Sequence, residues 1–571
     1  MTRRAKTRHP VRNAIVLFFL LGGIILLAAR AVYLQVFNSD FLQNQGNQRH
    51  SRLVKDNSHR GMILDRHGSP LAVSTPVDSV WAHPSSLSKG RRHWSRLAAM
   101  LEMHPRELAQ LVRKYEDREF MYLKRHVPPP QAERVMALQI SGVALQREYR
   151  RYYPLGSVAG HVIGFTNIDD QGQEGVELAY NTTLRAVPGA KRLLRDLQGK
   201  AVEVAESVVL PKPGRDLVLS IDRRIQYLAY RELKAAVSEH GARAGSAIVL
   251  DARTGEVLAL VNEPDFNPNN RAGLRSGLFR NRAVTDLFEP GSTLKPFTIA
   301  SALESGKYSP GSIIDTTPGT LQVGDRLFRD IHNYGVLTVA GIIEKSSNVG
   351  ISKIALSLNK KNIWEMLHSA GFGQATGIQL PGEVVGLLNP YSKWVPVDQA
   401  SISFGYGISV TPLQLARAYL ALANNGIALP LTLQHSDAIP KGERIMSTDT
   451  ARRIQSMLEL AVGDIGTGRA AQVADYRVAG KTGTVRKLTP EGYSDDKYVA
   501  WFAGFAPVVS PRLVMVVTVD EPVRGGYYGG VVAAPVFGRV MTGALRLLDV
   551  PPDAPRPETR LITVKSERVV E

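Results

Sequence analysis

The 571-residue chain contains no cysteine. That absence removes disulfide frameworks, cysteine-ligated zinc and iron–sulfur sites, a cysteine nucleophile and a lipidated cysteine anchor. Any chemistry must use oxygen or nitrogen nucleophiles. Charged residues are also sparse, 21% against 44% hydrophobic, so wholesale disorder is excluded and sizeable cores can form. No internal repeat is visible. At about 150 residues per domain the length suggests two to four domains.

Negative charge is the other shortage. Lys and Arg outnumber Asp and Glu 70 to 52, a net charge of +18. Residues 1–200 hold 30 basic against 16 acidic side chains and residues 201–571 hold 40 against 36. The surplus therefore sits in the first third. Arg3, Arg4, Lys6, Arg8 and Arg12 precede an apolar run with no acidic residue among them. This pattern signs a membrane anchor before it signs a nucleic-acid surface.

Ala14–Ala29 is uncharged, and after Arg30 apolar character continues to Phe37, long enough to span a bilayer with Arg30 snorkelling. A cleaved signal peptide is the rival, because Ala29-Arg30-Ala31 loosely fits a cleavage pattern, but the apolar run continues past that site. The layout expected is a basic cytoplasmic tail at 1–13, an anchor at 14–37, a pedestal at 38–215, a catalytic domain at 216–550 and a loose tail at 551–571. A basic N-terminus stays cytoplasmic, which puts the rest in a periplasmic or external compartment without ATP or chromosome. Trp94–Tyr115 has helical spacing interrupted at Pro105, and the prolines at 128–130 mark a break. From Asp216 the chain reads strand, helix (Arg223–Glu239), then a hairpin through SAIVLD and EVLALV. A helix-rich middle follows, and YRVAGKTGTV, KYVAWFAGFAP and RLVMVVTVD close the pattern as strands. Strands at both ends with helices between predict an α+β domain on one antiparallel sheet.

The pattern Ser-x-x-Lys occurs four times, at Ser86, Ser292, Ser357 and Ser494. Only Ser292 follows a turn, Glu289-Pro290-Gly291, and leads into an apolar helical run ended by Gly306, with Pro296 suited to a first helical turn. Serine and Lys295 then share a face, and the helix N-terminus offers N–H groups to a developing oxyanion. Lysine activates serine only if its pKa falls below about 10, through desolvation or a nearby cation. Lys481-Thr482-Gly483-Thr484, on a strand candidate, supplies that cation, and Gly480 and Gly483 permit close approach of a substrate backbone. A P-loop reading of the same residues fails, since Asp475 stands where glycine is needed and no helix opens there. Between the two motifs lies Ser346-Ser347-Asn348, on a helical segment. S-x-N alone is weak, because Ser357/Asn359 also matches. The ordered set of three is specific.

That set resembles the motifs of β-lactamases and penicillin-binding proteins. The surroundings resemble class B penicillin-binding proteins over nearly the whole chain: RGMILDRHG (60–68), RRYYPLGSVAGHVIGF (150–165), GQEGVE (172–177), FEPGSTLKPFTIASALE (288–304), GYGISVTPLQLARAY (405–419) and YYGG (527–530). The SSN form and its context look most like the septal, division-specific peptidoglycan D,D-transpeptidases of Gram-negative bacteria, with the elongation-specific branch as near rival.

The resemblance implies that Ser292 attacks the penultimate D-alanine carbonyl of a stem pentapeptide with Lys295 as base. Ser346 would relay a proton to the departing D-alanine, Asn348 would hold the substrate amide and support Lys295, and Lys481 would supply field. Thr482 and Thr484 would bind the terminal carboxylate beside Gly483, and the N–H groups of Ser292 and Thr484 would form the oxyanion hole. An amine of a neighbouring stem would resolve the acyl-enzyme, with no cofactor and no metal. Implied partners are β-lactams, the inner membrane and divisome proteins including a glycan-strand polymerase, with no nucleic acid. Glu383 and Asn389 lack the E-x-x-L-N spacing of a deacylating β-lactamase, so inhibition by penicillin is expected. Glu116-Asp117-Arg118-Glu119-Phe120 matches the start of a glycosyltransferase motif, but His126 is misplaced for it. The motifs describe acylation only, so a D,D-carboxypeptidase stays open, as does a penicillin-binding sensor or scaffold.

Overall fold

The computed structural model describes residues 10–39, 51–195, 201–273 and 275–554. The basic residues at 1–9 and the tail from 555 lie outside the described residues. Helix Pro10–Val32 and the wider turn Tyr33–Phe37 bury no residue and are together long and apolar enough to cross a membrane. The helical segment Gly529–Leu547 is long enough too but much less apolar, more than half of it is buried and it packs into a core.

The described residues form two compact units: those up to 59, 77–148 and 186–213 make the first, and those in 60–76, 149–185 and 214–554 the second. The second unit thus takes in two stretches that sequence reading assigns to the pedestal. Strand pairing accounts for the first of these, since Ile63–Leu64 lies parallel to Leu217–Val218. An ion pair accounts for both, since Arg60 reaches Glu177 at 2.6 Å.

In the first unit, helices Pro84–Lys89, Trp94–Met100, Pro105–Lys114 and Pro129–Met136 surround a core that includes Val80, Leu97, Leu108, Val127 and Val135. Pro105 starts a helix here, at a position where its missing N–H costs nothing. His104 caps that helix in a box with Glu107.

The second unit is built on a five-stranded antiparallel sheet. In chain order its strands are β1 (Ala244–Asp251), β2 (Val257–Glu263), β3 (Ala479–Thr489), β4 (Gly492–Ala506) and β5 (Leu513–Asp520). Their spatial order is β2-β1-β5-β4-β3, with β3 at one edge. β1, β2 and β5 are buried at every residue, so both faces carry apolar side chains. Ala247, Val249, Met515 and Phe502 face helices Arg223–Glu239 and Ala534–Leu547. Ile248, Leu250, Val516 and Trp501 face the helical lobe between β2 and β3. The sequence expectation of an α+β fold with one antiparallel sheet is what the structure shows.

Candidate active site

Ser292 lies in the 3-10 turn Gly291–Leu294, and the helix proper begins at Lys295 and runs to Glu304. Gly291 holds φ +55°, and a Cβ there would stand 2.6 Å from Val485 Cγ2. Only glycine allows this turn to lie against β3. From the other side, a Cβ on Gly483 would meet Pro290 O at 2.9 Å, with Thr293 and Trp501 at 3.1 Å. The two glycines therefore press the serine turn onto the edge strand that carries Lys481, Thr482 and Thr484.

Ser346 and Ser347 sit at a break between two helices, Val339–Lys345 and Asn348–Ser357, rather than within one helical segment. Ser346 caps the first in the left-handed conformation, φ 62° and ψ 37°. That costs a serine about 1 kcal/mol and must be held from outside. Ser347 caps the second, accepting from Gly350 N at 2.9 Å. The break turns the Ser346 carbonyl and the Asn348 side chain toward Lys295.

Lys295 is fully buried. Its Nζ donates to Ser346 O at 2.5 Å and Asn348 Oδ1 at 2.8 Å, and lies 3.2 Å from Ser346 Oγ. A neutral amine has two protons and one lone pair. The two close acceptors take the protons, which leaves the lone pair for a hydroxyl. Burial holds the Lys295 pKa well below the ordinary lysine range, the positive charge of Lys481 lowers it further, and Asp330 opposes both. Lys481 is also fully buried, and burial pushes its pKa down to about 7. Its Nζ makes only long contacts, to Thr482 O at 3.3 Å, Thr482 Oγ1 at 3.4 Å and Thr467 Oγ1 at 3.5 Å.

The Thr484 hydroxyl accepts from Gly529 N at 2.9 Å, so its own proton is available to a substrate carboxylate. Thr482 Oγ1 and Thr467 Oγ1 lie 2.8 Å apart. Sequence reasoning missed Thr467, which no motif marks. It also missed Asp330, whose Oδ1 accepts from Asn348 N and whose Oδ2 accepts from Ser347 Oγ, each at 2.5 Å. Glu383, with the wrong spacing for a deacylating base, accepts from Thr376 N at 2.6 Å and Thr376 Oγ1 at 2.5 Å and so braces its own loop. Of the other Ser-x-x-Lys lysines, Lys360 donates to Trp394 O at 2.8 Å. Among the described residues no group of three or more His, Asp or Glu is placed to hold a metal.

A serine three residues before a fully buried lysine whose pKa burial lowers, at a helix start pressed against an edge strand that carries a second buried lysine, points to an enzyme of serine-type acyl transfer. The comparisons narrow that class. Residues 245–542 match the family model of the penicillin-binding protein transpeptidase domain, and residues 55–219 that of the penicillin-binding protein dimerisation domain. The chain belongs to the penicillin-binding protein transpeptidase family. It is 41% identical over 571 residues to the peptidoglycan D,D-transpeptidase FtsI of Escherichia coli K12, covering 97% of this chain and 96% of that protein. Against the probable peptidoglycan D,D-transpeptidase PenA of Neisseria meningitidis it is 41% identical over 563 residues, with the same coverage. The apo transpeptidase domain of Burkholderia pseudomallei penicillin-binding protein 3 is 44% identical with a TM-score of 0.55, covering 59% of this chain and 98% of that domain. A peptidoglycan synthetase of Bifidobacterium adolescentis, 24% identical with a TM-score of 0.70, shares the fold over 89% of this chain and 98% of its own.

Proposed function

We propose that this chain is a septal peptidoglycan D,D-transpeptidase, anchored by Pro10–Phe37 in the inner membrane with its N-terminus cytoplasmic and its catalytic unit periplasmic. The carrying observation is the state of Lys295: fully buried, hydrogen-bonded to Ser346 and Asn348, and depressed by its neighbour Lys481.

Neutral Lys295 takes the Ser292 proton as Oγ attacks the carbonyl of the penultimate D-alanine of a stem pentapeptide. The N–H groups of Ser292 and Thr484 receive the oxyanion. A Gly291 Cβ would stand 3.9 Å from Thr484 N, which supports the closeness of those two donors. The proton passes through Ser346 Oγ to the departing D-alanine nitrogen, and the C–N bond breaks to leave an ester on Ser292. Thr482 and Thr484 hold the terminal carboxylate in the field of Lys481. The amine of a neighbouring stem then attacks the ester carbonyl and gives a proton to Lys295, which passes it to Ser292 Oγ as the ester C–O bond breaks, so the crosslink forms and the free serine and neutral lysine are restored. One amide replaces another, so no ATP enters the balance. A β-lactam acylates Ser292 by the same route and persists, because no carboxylate at the E-x-x-L-N spacing activates water. The partners are the stem peptide and divisome proteins that include a glycan-strand polymerase.

Full-length protein in detergent should be labelled covalently by fluorescent penicillin, and Ser292→Ala should abolish labelling while leaving the fold intact by circular dichroism. Persistent labelling of that variant would reject Ser292 as nucleophile. Depletion in cells should give filaments; spheres would point to elongation instead of septation.

A further inference from the structure

Asp330 follows the strand Arg326–Arg329, and its carboxylate closes over the break between the two helices that flank Ser346 and Ser347. Oδ1 accepts from Asn348 N at 2.5 Å and Val349 N at 3.0 Å, and Oδ2 accepts from Ser347 Oγ at 2.5 Å. Ser347 Oγ in turn accepts from Gly350 N at 2.9 Å. The opening N–H groups of helix Asn348–Ser357 are thereby satisfied by two side chains acting together. The carbonyl of Arg329, next in the chain, accepts from Asn348 Nδ2 at 3.2 Å. That bond fixes the Asn348 amide so that Oδ1 faces Lys295 Nζ at 2.8 Å.

These contacts form one chain from the end of a hairpin to the base of the reaction. Ser346 needs such a hold, because its left-handed backbone is a conformation that serine keeps only when its neighbours impose it. Without the carboxylate, Ser347 and the start of the following helix lose their anchor, and the Ser346 carbonyl is free to turn from Lys295.

We propose that Asp330 is a positioning residue for acylation, acting through Ser347 and Asn348 to hold the Ser346 carbonyl and the Asn348 amide oxygen against Lys295 Nζ. The proposal rests on the reading of Ser292 as nucleophile and Lys295 as base. It carries an electrostatic corollary. The charged groups that bear on Lys295 are Lys481 on β3, which disfavours the ammonium, and Asp330, which favours it. Removing the Asp330 charge lowers the proton affinity of Lys295, so the acid limb of acylation moves to lower pH.

Two variants of the full-length protein separate geometry from charge. Asp330→Asn keeps an oxygen for the two N–H groups and an amide for Ser347 Oγ, but drops the charge. Asp330→Ala drops both. The measurement is the second-order rate of acylation by fluorescent penicillin from pH 5 to 9, with melting temperature recorded alongside. For Asp330→Asn the expected result is a plateau rate within about 10-fold of the parent and an acid limb displaced to lower pH. For Asp330→Ala the expected result is a plateau rate lower by about 100-fold, the scale of loss that a small misplacement of reacting groups produces. Parent-like rates and an unmoved acid limb in both variants would overturn the proposal. If the alanine variant does not fold, the asparagine variant decides alone, and an unmoved acid limb there overturns it. Labelling that survives Ser292→Ala is a failure of the underlying reading. Loss of labelling in Ser292→Ala with a parent-like Asp330→Asn profile is a failure of Asp330 alone.

Discussion

Arg60 and Arg151 lie buried around a carboxylate, whereas Lys295 and Lys481 lie buried around hydroxyls and carbonyls. Arg60 Nε and Arg151 Nε each reach Glu177 at 2.6 Å, and Glu177 is fully buried. Arg60 also donates to Asn181 Oδ1 at 2.8 Å and to the backbone of Glu177 at 2.7 Å. Neither active-site lysine has a carboxylate partner among the described ion pairs. The difference is one of purpose. A buried guanidinium paired with a carboxylate ties segments together, while a buried amine without a carboxylate partner is driven toward neutrality by the lost hydration. The arginine cluster builds the unit and the lysine pair works in it. Both belong to the second unit, so the contrast lies in partners and not in environment at large.

The sharpest way to break this comparison is Lys295→Met. A methionine matches the lysine stem in length and removes the penalty of burying an amine, but leaves Ser346 O and Asn348 Oδ1 without their donor, so the fold should melt close to the parent. Acylation by penicillin should fall at least ~1000-fold, the scale on which removing a general base acts. A variant that acylates within 10-fold of the parent would mean that the base lies elsewhere. The reverse experiment is Glu177→Ala. It leaves two buried guanidinium groups without a counter-charge and should cost about 3–5 kcal/mol in denaturant unfolding, with acylation lost only in proportion to the unfolded fraction. A change under about 1 kcal/mol would show that the arginines find other partners.

The smallest effect concerns pH. Lys481 has a folded pKa of about 7, against an unfolded value near that of free lysine. Between those two values the unfolded chain binds one more proton, so stability rises with pH by up to about 1.4 kcal/mol per pH unit from this group. Below about pH 7 both states are protonated and the full penalty of burying the charge is present. Lys481→Met removes the penalty. Its melting temperature should exceed the parent's most at pH 6 and least at pH 9. A difference that does not change with pH would mean that Lys481 stays charged in the folded protein throughout.

Much of the site was legible because its chemistry is local. Ser292 and Lys295 are three residues apart, and the turn ahead of them and the apolar run behind them mark a helix start. The glycines of the Lys481 motif suggest room for a substrate backbone, whereas the structure sets the Pro290 carbonyl against Gly483 and the Phe502 ring against Gly480. Less legible was the Ser346 segment, read as helical. Its flanks are helical, but the carboxylate of Asp330, distant in sequence, holds a break there. The boundary between units was also hidden. The segment from Arg60 to Pro76 joins the second unit through pairing with Leu217–Val218, and no composition change at those positions reports it. The surplus of basic residues was informative only once divided, since it falls on the first 200 residues.

By itself the sequence determined the absence of a cysteine nucleophile, the apolar N-terminal helix and the order of motifs, because these depend on residue type and short spacing alone. The tertiary structure decided which groups bear on Lys295. Burial, the field of Lys481 and the opposing charge of Asp330 come from separate segments, and their effects depend on distance and dielectric, which exist only after the chain has closed around them.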